Sequence, residues 1–258
     1  MTLECVAEGM TIEAPARGRI RIERSAKRVR AYFAGVVVAD TTRPVLVWEK
    51  PYYPTYYLPA ADVRTDLLRA EPGTRHSPSR GDAQVFSLAV DDRVAEAAAL
   101  RYPDSPIEEL RDLVRFEWNA LDAWFEEDEE VFTHARDPYT RVDILPSSRH
   151  VRVEVDGVTV AESTSSRMLF ETGLPVRYYV PKTHVRMDLL TPTDTVSHCP
   201  YKGEAEYWSV AGHRDLAWSY PTPLPESERI AGLVGFYNEK VDIFVDGVLQ
   251  ERPHAKFS

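Results

Sequence analysis

The chain carries one sequence twice. Residues 25–88 align without a gap on residues 147–210 at a constant offset of about 122, and self-similarity of this kind fixes the architecture first. Gly35 falls on Gly157, Tyr56-Tyr57 on Tyr178-Tyr179, and Pro59 on Pro181. Val63-Arg64-Thr65-Asp66-Leu67-Leu68 falls on Val185-Arg186-Met187-Asp188-Leu189-Leu190, His76 on His198 and Gly81 on Gly203. Across 29–68 about 16 of 40 positions are identical, far beyond chance. Two copies of one domain follow, and every functional idea has its own internal control.

The 258 residues give each copy about 110–120, enough to bury a core without metal or disulfide staples. The simplest division is an N-terminal extension, 1–24, a first repeat, 25–144, and a second, 145–258, joined through Ile144-Leu145-Pro146-Ser147-Ser148. Gly18–Glu23 alternates apolar and charged residues and adds a strand to the extension. Duplication within one chain predicts halves packed as a pseudo-dimer, and further oligomerisation is left open.

Val151–Val155 alternates, meets Asp156-Gly157, and resumes at Val158, the pattern of a β-hairpin with a type I′ turn. Val29–Asp40 repeats it around Ala34-Gly35. Val241–Val248 does so around Asp246-Gly247, with Ala123–Val131 as its counterpart. Short apolar runs at Val45–Glu49, Gln84–Val90, Met168–Glu171 and Glu206–Val210 lie between Pro, Gly and Ser, as strands between tight turns do. One short helix per copy is predicted, Pro106–Val114 and, more weakly, Glu226–Leu233. Tyr102-Pro103 matches Tyr220-Pro221 if copy one carries about four extra residues, a loop change. The class is mainly β.

The net charge of −10 argues against a nucleic-acid binder, which needs a basic face to displace counterions. The run Glu126–Glu130 reads as a solvated edge or, less readily, a cation site. Cys5 and Cys199 are too few for a disulfide framework or a thiolate zinc site. Residues 1–18 have charges where a signal peptide needs an apolar core, and no stretch approaches the roughly 18 apolar residues of a membrane span. The expectation is a cytoplasmic protein without membrane or nucleic-acid partners.

The most distinctive run is His198-Cys199-Pro200-Tyr201-Lys202-Gly203-Glu204-Ala205-Glu206-Tyr207-Trp208, opposite His76-Ser77-Pro78-Ser79-Arg80-Gly81 in copy one. With Arg64/Arg186, Asp66/Asp188 and Ala217-Trp218-Ser219-Tyr220-Pro221, the chain resembles the domain of unknown function 427 family in tandem form over nearly all of 20–250. The resemblance implies two compact, mostly antiparallel β domains of tent or barrel type. The nucleotidyltransferase label sometimes attached to the family has no support in a paired-carboxylate Gly-Ser motif here.

Proline fixes the backbone after Cys199, and Gly203 permits a turn that brings Lys202 toward the sulfur. A nearby cation raises the thiolate fraction, the precondition for a nucleophile or redox thiol. The competing reading makes Cys199 a small buried residue chosen for volume. Copy one has Ser77 and Arg80 instead, so a thiol function belongs to the second copy alone. His198 is a poor base for its neighbour, because adjacent side chains on a strand point to opposite faces. Glu171 is a candidate general base or a surface carboxylate. Arg186 either binds an anion or pairs with Asp188.

A metal site of His184, Asp188, His198 and Cys199 has a different set in copy one, Asp62, Asp66, His76 and Ser77. No metal or cofactor is therefore assigned. The favoured reading is a small polar or anionic ligand held by Arg186, Lys202 and His198 among Tyr179, Tyr207, Trp208 and Trp218, with Cys199 and Glu171 as candidate catalytic groups. The first-repeat equivalents are Glu49, Tyr57, Arg64, His76 and Arg80. A cysteine-dependent enzyme and a protein-interaction module are the alternatives.

Overall fold

The computed structural model describes residues 20–254, so Cys5 and the signal-peptide reading of 1–18 fall outside the described residues. The first copy runs β1 (Arg21–Arg24), β2 (Val29–Phe33), β3 (Val36–Thr41), β4 (Val45–Trp48), β5 (Thr55–Pro59), β6 (Leu68–Ser77), β7 (Gly81–Val90), β8 (Arg93–Arg101), β9 (Leu113–Phe116), β10 (Ala123–Glu126) and β11 (Glu129–Glu130). The second runs β12 (Val142–Pro146), β13 (Val151–Val155), β14 (Val158–Ser163), β15 (Arg167–Glu171), β16 (Arg177–Val180), β17 (Leu190–Cys199), β18 (Gly203–Val210), β19 (His213–Ser219), β20 (Val234–Phe236), β21 (Asp242–Val245) and β22 (Val248–Leu249). By packing, the described residues form two compact units, the first ending at Asp122 and the second starting at Ala123, with Tyr52–Pro54 in the second.

The two copies share one topology. Seven-stranded antiparallel sheets run β1-β4-β5-β9-β8-β7-β6 and β12-β15-β16-β20-β19-β18-β17. Four-stranded sheets run β3-β2-β10-β11 and β14-β13-β21-β22. The hairpins fold as their alternation requires. Val151, Val153 and Val155 are buried and Arg152 and Glu154 less so, and β2 repeats the pattern. Their tips take the left-handed backbone of a type I′ turn, with φ of 50° and 77° at Asp156-Gly157 and 52° and 80° at Asp246-Gly247.

Three expectations change. No sheet among the described residues closes into a barrel, since each seven-stranded sheet has two distinct edge strands. The edge β6 carries Pro72 within a register shift, and the edge β17 carries Pro192 at the border of one, still opposite Trp208. The predicted helices reduce to 3₁₀ turns, Glu108–Leu110 and Pro225–Ile230. Leu113 and Val114, read as helical, belong to β9, which pairs with β5 and β8. Sheet pairing outweighs the local helical pattern there. The segment read as a linker supplies β12, whose Ile144 lies opposite Leu169 of β15.

The extra residues of copy one sit in a hairpin rather than a loop. β7 and β8 have ten and nine residues, and β18 and β19 have eight and seven.

In the second copy, the large sheet is buried on both faces. Val151, Val153, Val155 and Val160 of the small sheet pack on Tyr178, Val180, Trp208, Ala217, Val234 and Phe236. The opposite face gathers Leu169, Tyr179, Ala205, Trp218, Tyr220 and Ile230, with Cys199, Tyr207 and Tyr237 at its margin. Tyr178, Tyr179 and Val180 therefore point alternately to the two cores, the period-two rule applied to β16. In copy one, Tyr57, Ala83, Leu100, Tyr102 and Leu110 form the equivalent second core.

A Cβ built on Gly235 would lie 3.0 Å from the Trp218 ring and 3.3 Å from Tyr179. Gly235→Ala is therefore expected to destabilise by about 1–3 kcal/mol through overpacking, read from the urea unfolding midpoint.

Candidate functional site

The distinctive run folds as its residues require. Cys199 ends β17 opposite Gly203, the first residue of β18. Gly203 has φ +94°, and a Cβ there would stand 3.4 Å from both the Leu224 nitrogen and the Thr222 oxygen. Leu224 N–H donates to the Lys202 carbonyl at 3.1 Å, so the chain after β19 holds the turn from outside. Gly81 has φ +85° and Pro106 Cδ 3.3 Å from a built Cβ, and so meets the same demand in copy one. Glycine recurs here because only it fits the backbone angle and the close approach.

The turn directs Lys202 inward. Its Nζ donates to Glu171 Oε2 at 2.5 Å, with side-chain exposures of only 10% and 8%. Burial pushes the ammonium toward losing its proton, but the neighbouring Cys199 sulfur and Glu171 carboxylate outweigh it and hold the Lys202 pKa above the usual lysine range. Trp218 Nε1 donates to Tyr179 Oη at 3.0 Å, with the two rings edge-on and 6.0 Å apart. Burial raises the phenol pKa of Tyr179, and also that of Tyr220. Tyr237 leans on Trp218 at 4.5 Å, Ser197 Oγ and Tyr207 Oη lie 2.6 Å apart, and Arg177 forms a two-point ion pair with Glu239 at 2.6 and 2.7 Å.

Copy one fills the same place with charge. Tyr57 Oη donates to Glu49 at 2.6 Å, Arg80 donates to Tyr57 Oη at 2.7 Å and to Ser77 Oγ at 3.0 Å, and Arg80 pairs with Glu49. Arg115 lies 3.3 Å from Glu49 and 2.5 Å from Glu117, which also accepts from Arg75 at 2.6 Å. Arg115 faces Tyr57 across the ladder as Gly235 faces Tyr179. The substitution of glycine for arginine makes room for the Trp218 ring and removes a cation from the carboxylate.

The site residues expected from sequence divide accordingly. Cys199, Lys202, Glu171, Tyr179, Tyr207 and Trp218 share one face of the large sheet. Trp208 lies in the other core, under Lys182 at 5.0 Å, because its neighbour Tyr207 has the opposite parity. His198 points away from Cys199 and bonds to Glu204 at 3.1 Å, and His76 bonds to Asp82 at 2.7 Å. Arg186 is exposed and forms a two-point pair with Asp188 at 2.9 and 2.7 Å, repeated by Arg64 and Asp66 at 2.8 and 2.6 Å. It donates no side-chain hydrogen bond to the Lys202 group.

His184 bonds to Ser163 at 2.8 Å, and among the described residues no group of three or more His, Cys, Asp or Glu converges on a metal position. No helix among them is long and apolar enough to cross a membrane.

Sequence comparison within the chain missed His134. Its ring stacks on Tyr53 at 3.9 Å and meets Tyr201 edge-on at 6.4 Å. Residue 134 lies beyond the stretch, 25–88, over which the two halves align without a gap, so the internal comparison does not draw attention to it. Tyr237 and Gly235 were missed for another reason: the copies differ there, so the signal lay in the divergence.

The family model described as Domain of unknown function (DUF427) matches residues 21–127 and again 143–247. The chain belongs to that family, with its domain present twice. No curated protein matches the chain.

Removing Glu171 leaves a buried ammonium without its carboxylate. Glu171→Ala is expected to lower the unfolding free energy by about 3–5 kcal/mol, and Arg186→Ala to leave the urea midpoint unchanged. Because the folded-state pKa of Lys202 is raised, its contribution is complete below the usual lysine range and is lost as pH rises through the folded value. The midpoint difference between wild type and Lys202→Met should stay level from neutral to moderately alkaline pH and shrink only in strong alkali.

Proposed function

We propose that this tandem DUF427 protein binds a small polar or anionic molecule on the second repeat, against Lys202, Glu171 and the wall of Tyr179, Tyr207 and Trp218, while the first repeat is a scaffold. The observation that carries this reading is the exchange at one ladder position. In copy one Arg115 and Arg80 saturate Glu49, and every partner in that cluster comes from the chain itself. In copy two Gly235 takes the place of Arg115, leaving one ammonium, one carboxylate and a thiol beside aromatic rings. Because Glu171 balances the charge of Lys202, a ligand oxygen would be held by hydrogen bonding to Nζ and by the rings rather than by net charge. A carboxylate, amide or carbonyl compound fits that chemistry best.

Acetate, benzoate, acetamide and phosphate, each titrated into the full chain, test the reading by thermal shift. At least one is expected to raise the melting temperature of wild type by several degrees at saturation. Lys202→Met should lose that ligand-induced shift, and Arg80→Met, its first-repeat counterpart, should keep it. Equal shifts in all three proteins would refute the assignment to the second repeat, and no shift with any probe would refute binding of this ligand class.

A further inference from the structure

Residues 128–142 lie outside both spans matched by the family model, yet 131–140 fold against the second repeat's Cys-Pro-Tyr-Lys turn without joining a sheet. Val131 and Ala135 are buried. Thr133 Oγ1 donates to the His198 carbonyl at 2.9 Å, and Asp137 N–H donates to Tyr201 Oη at 2.7 Å. The two anchors lie on either side of Cys199 and Pro200, so the segment is a strap across the turn that carries Lys202. Phe132 adds a ring contact to His198 at 5.0 Å, and Arg136 pairs with Glu129 and with Glu226. One cost opposes this docking: Thr133, a β-branched residue, is held at φ +71°.

His134 pins the strap between its anchors. The ring stacks on Tyr53 at 3.9 Å and 11°, and meets Tyr201 edge-on at 6.4 Å. Nδ1 lies 2.8 Å from the Ala135 carbonyl oxygen, which only accepts, so Nδ1 carries a proton and the neutral ring needs no second one. The groups facing the imidazole are Tyr53 from the β4–β5 connection, Asp137 on the strap itself, Glu171 of β15 and Tyr201 of the turn. Glu171 is already held by the Lys202 ammonium. Burial keeps His134 below the usual histidine range, and the opposing pull of Asp137 and Glu171 does not offset it.

We propose that 131–140 is an acid-released strap, in which protonation of His134 undocks the segment from the Cys-Pro-Tyr-Lys turn. The docked strap favours the neutral ring and the released strap carries an ordinary histidine, so release takes up a proton. Docking is therefore at full strength above the ordinary histidine range. It weakens as pH falls through that range, by up to about tenfold for each pH unit until the docked pKa is reached. The device stands without the small-molecule reading above. Joined to that reading, acid loosens the turn that presents Lys202.

Amide hydrogen exchange of the full chain, followed by mass spectrometry from pH 8 to 5.5, tests this through peptides spanning 131–140. Protection, corrected for the intrinsic pH dependence of exchange, reports the opening equilibrium. In wild type the strap is expected to lose about tenfold or more in protection across that range, while β13 and β16 stay level. His134→Gln keeps a neutral amide able to donate to the Ala135 carbonyl, and its strap protection should not vary with pH. His198 is a second histidine in contact with the strap, so His198→Gln is the control and should retain the wild-type slope.

Level protection in wild type would overturn the proposal, as would an equal slope in His134→Gln or loss of the slope in His198→Gln. Where the glutamine strap is unprotected at every pH, titration of the His134 ring by NMR decides. A pKa at or above that of a histidine model peptide would overturn the proposal, and one below it, together with the wild-type slope, supports it.

Discussion

Side-chain parity in a sheet buried on both faces is the constraint from which the rest of the second repeat follows. Once Tyr178 and Val180 are committed to the core beneath the small sheet, Tyr179 has no choice but the other face. The same rule places Cys199 with Tyr207 and sends His198 and Trp208 away. A one-residue slip would invert every member of the site and both cores at once, so the register of the site is as secure as the fold itself.

The duplication shows which parts of that face are architecture. A carboxylate at the end of the β4 or β15 position, a tyrosine one strand over, and a cation on the glycine turn occur in both copies. Around them the solutions diverge. Copy one surrounds its carboxylate with two guanidiniums and a phenol, a cluster in which both arginines are ion-paired. Copy two exchanges an arginine for glycine and lets Trp218 and Tyr237 occupy the space. Aromatic area replaces charge pairing, and fewer charged groups remain.

Much of this was legible in the residues. Period-two alternation and Asp-Gly dipeptides located the hairpins, because both depend on local backbone chemistry alone. The Arg186–Asp188 pair was expected from two residues sharing a face of extended chain; the pair forms, but in a 3₁₀ turn, Met187–Leu189, that Arg186 caps. The predicted helix at Pro106–Val114 failed because β5 and β8 recruit Leu113 and Val114 into a ladder, a long-range demand that no local window contains. Trp208 was grouped with Tyr207 by adjacency, where parity alone separates them. His134 could not be found by comparing halves, since it lies outside the stretch that aligns between them.

The long edge strands β6 and β17 have a consequence beyond the single molecule. Ten-residue strands with one side of the backbone unpaired are templates on which other chains can crystallise into fibrils. Pro72 and Pro192 sit within those strands, each removing one backbone donor from an edge. The register shifts around them bend the same stretch out of plane. A fold with so much exposed ladder thus carries insulation against polymerising in each half, and because Pro72 aligns with Asp194 and Pro192 with Ala70, each half has it at a position of its own.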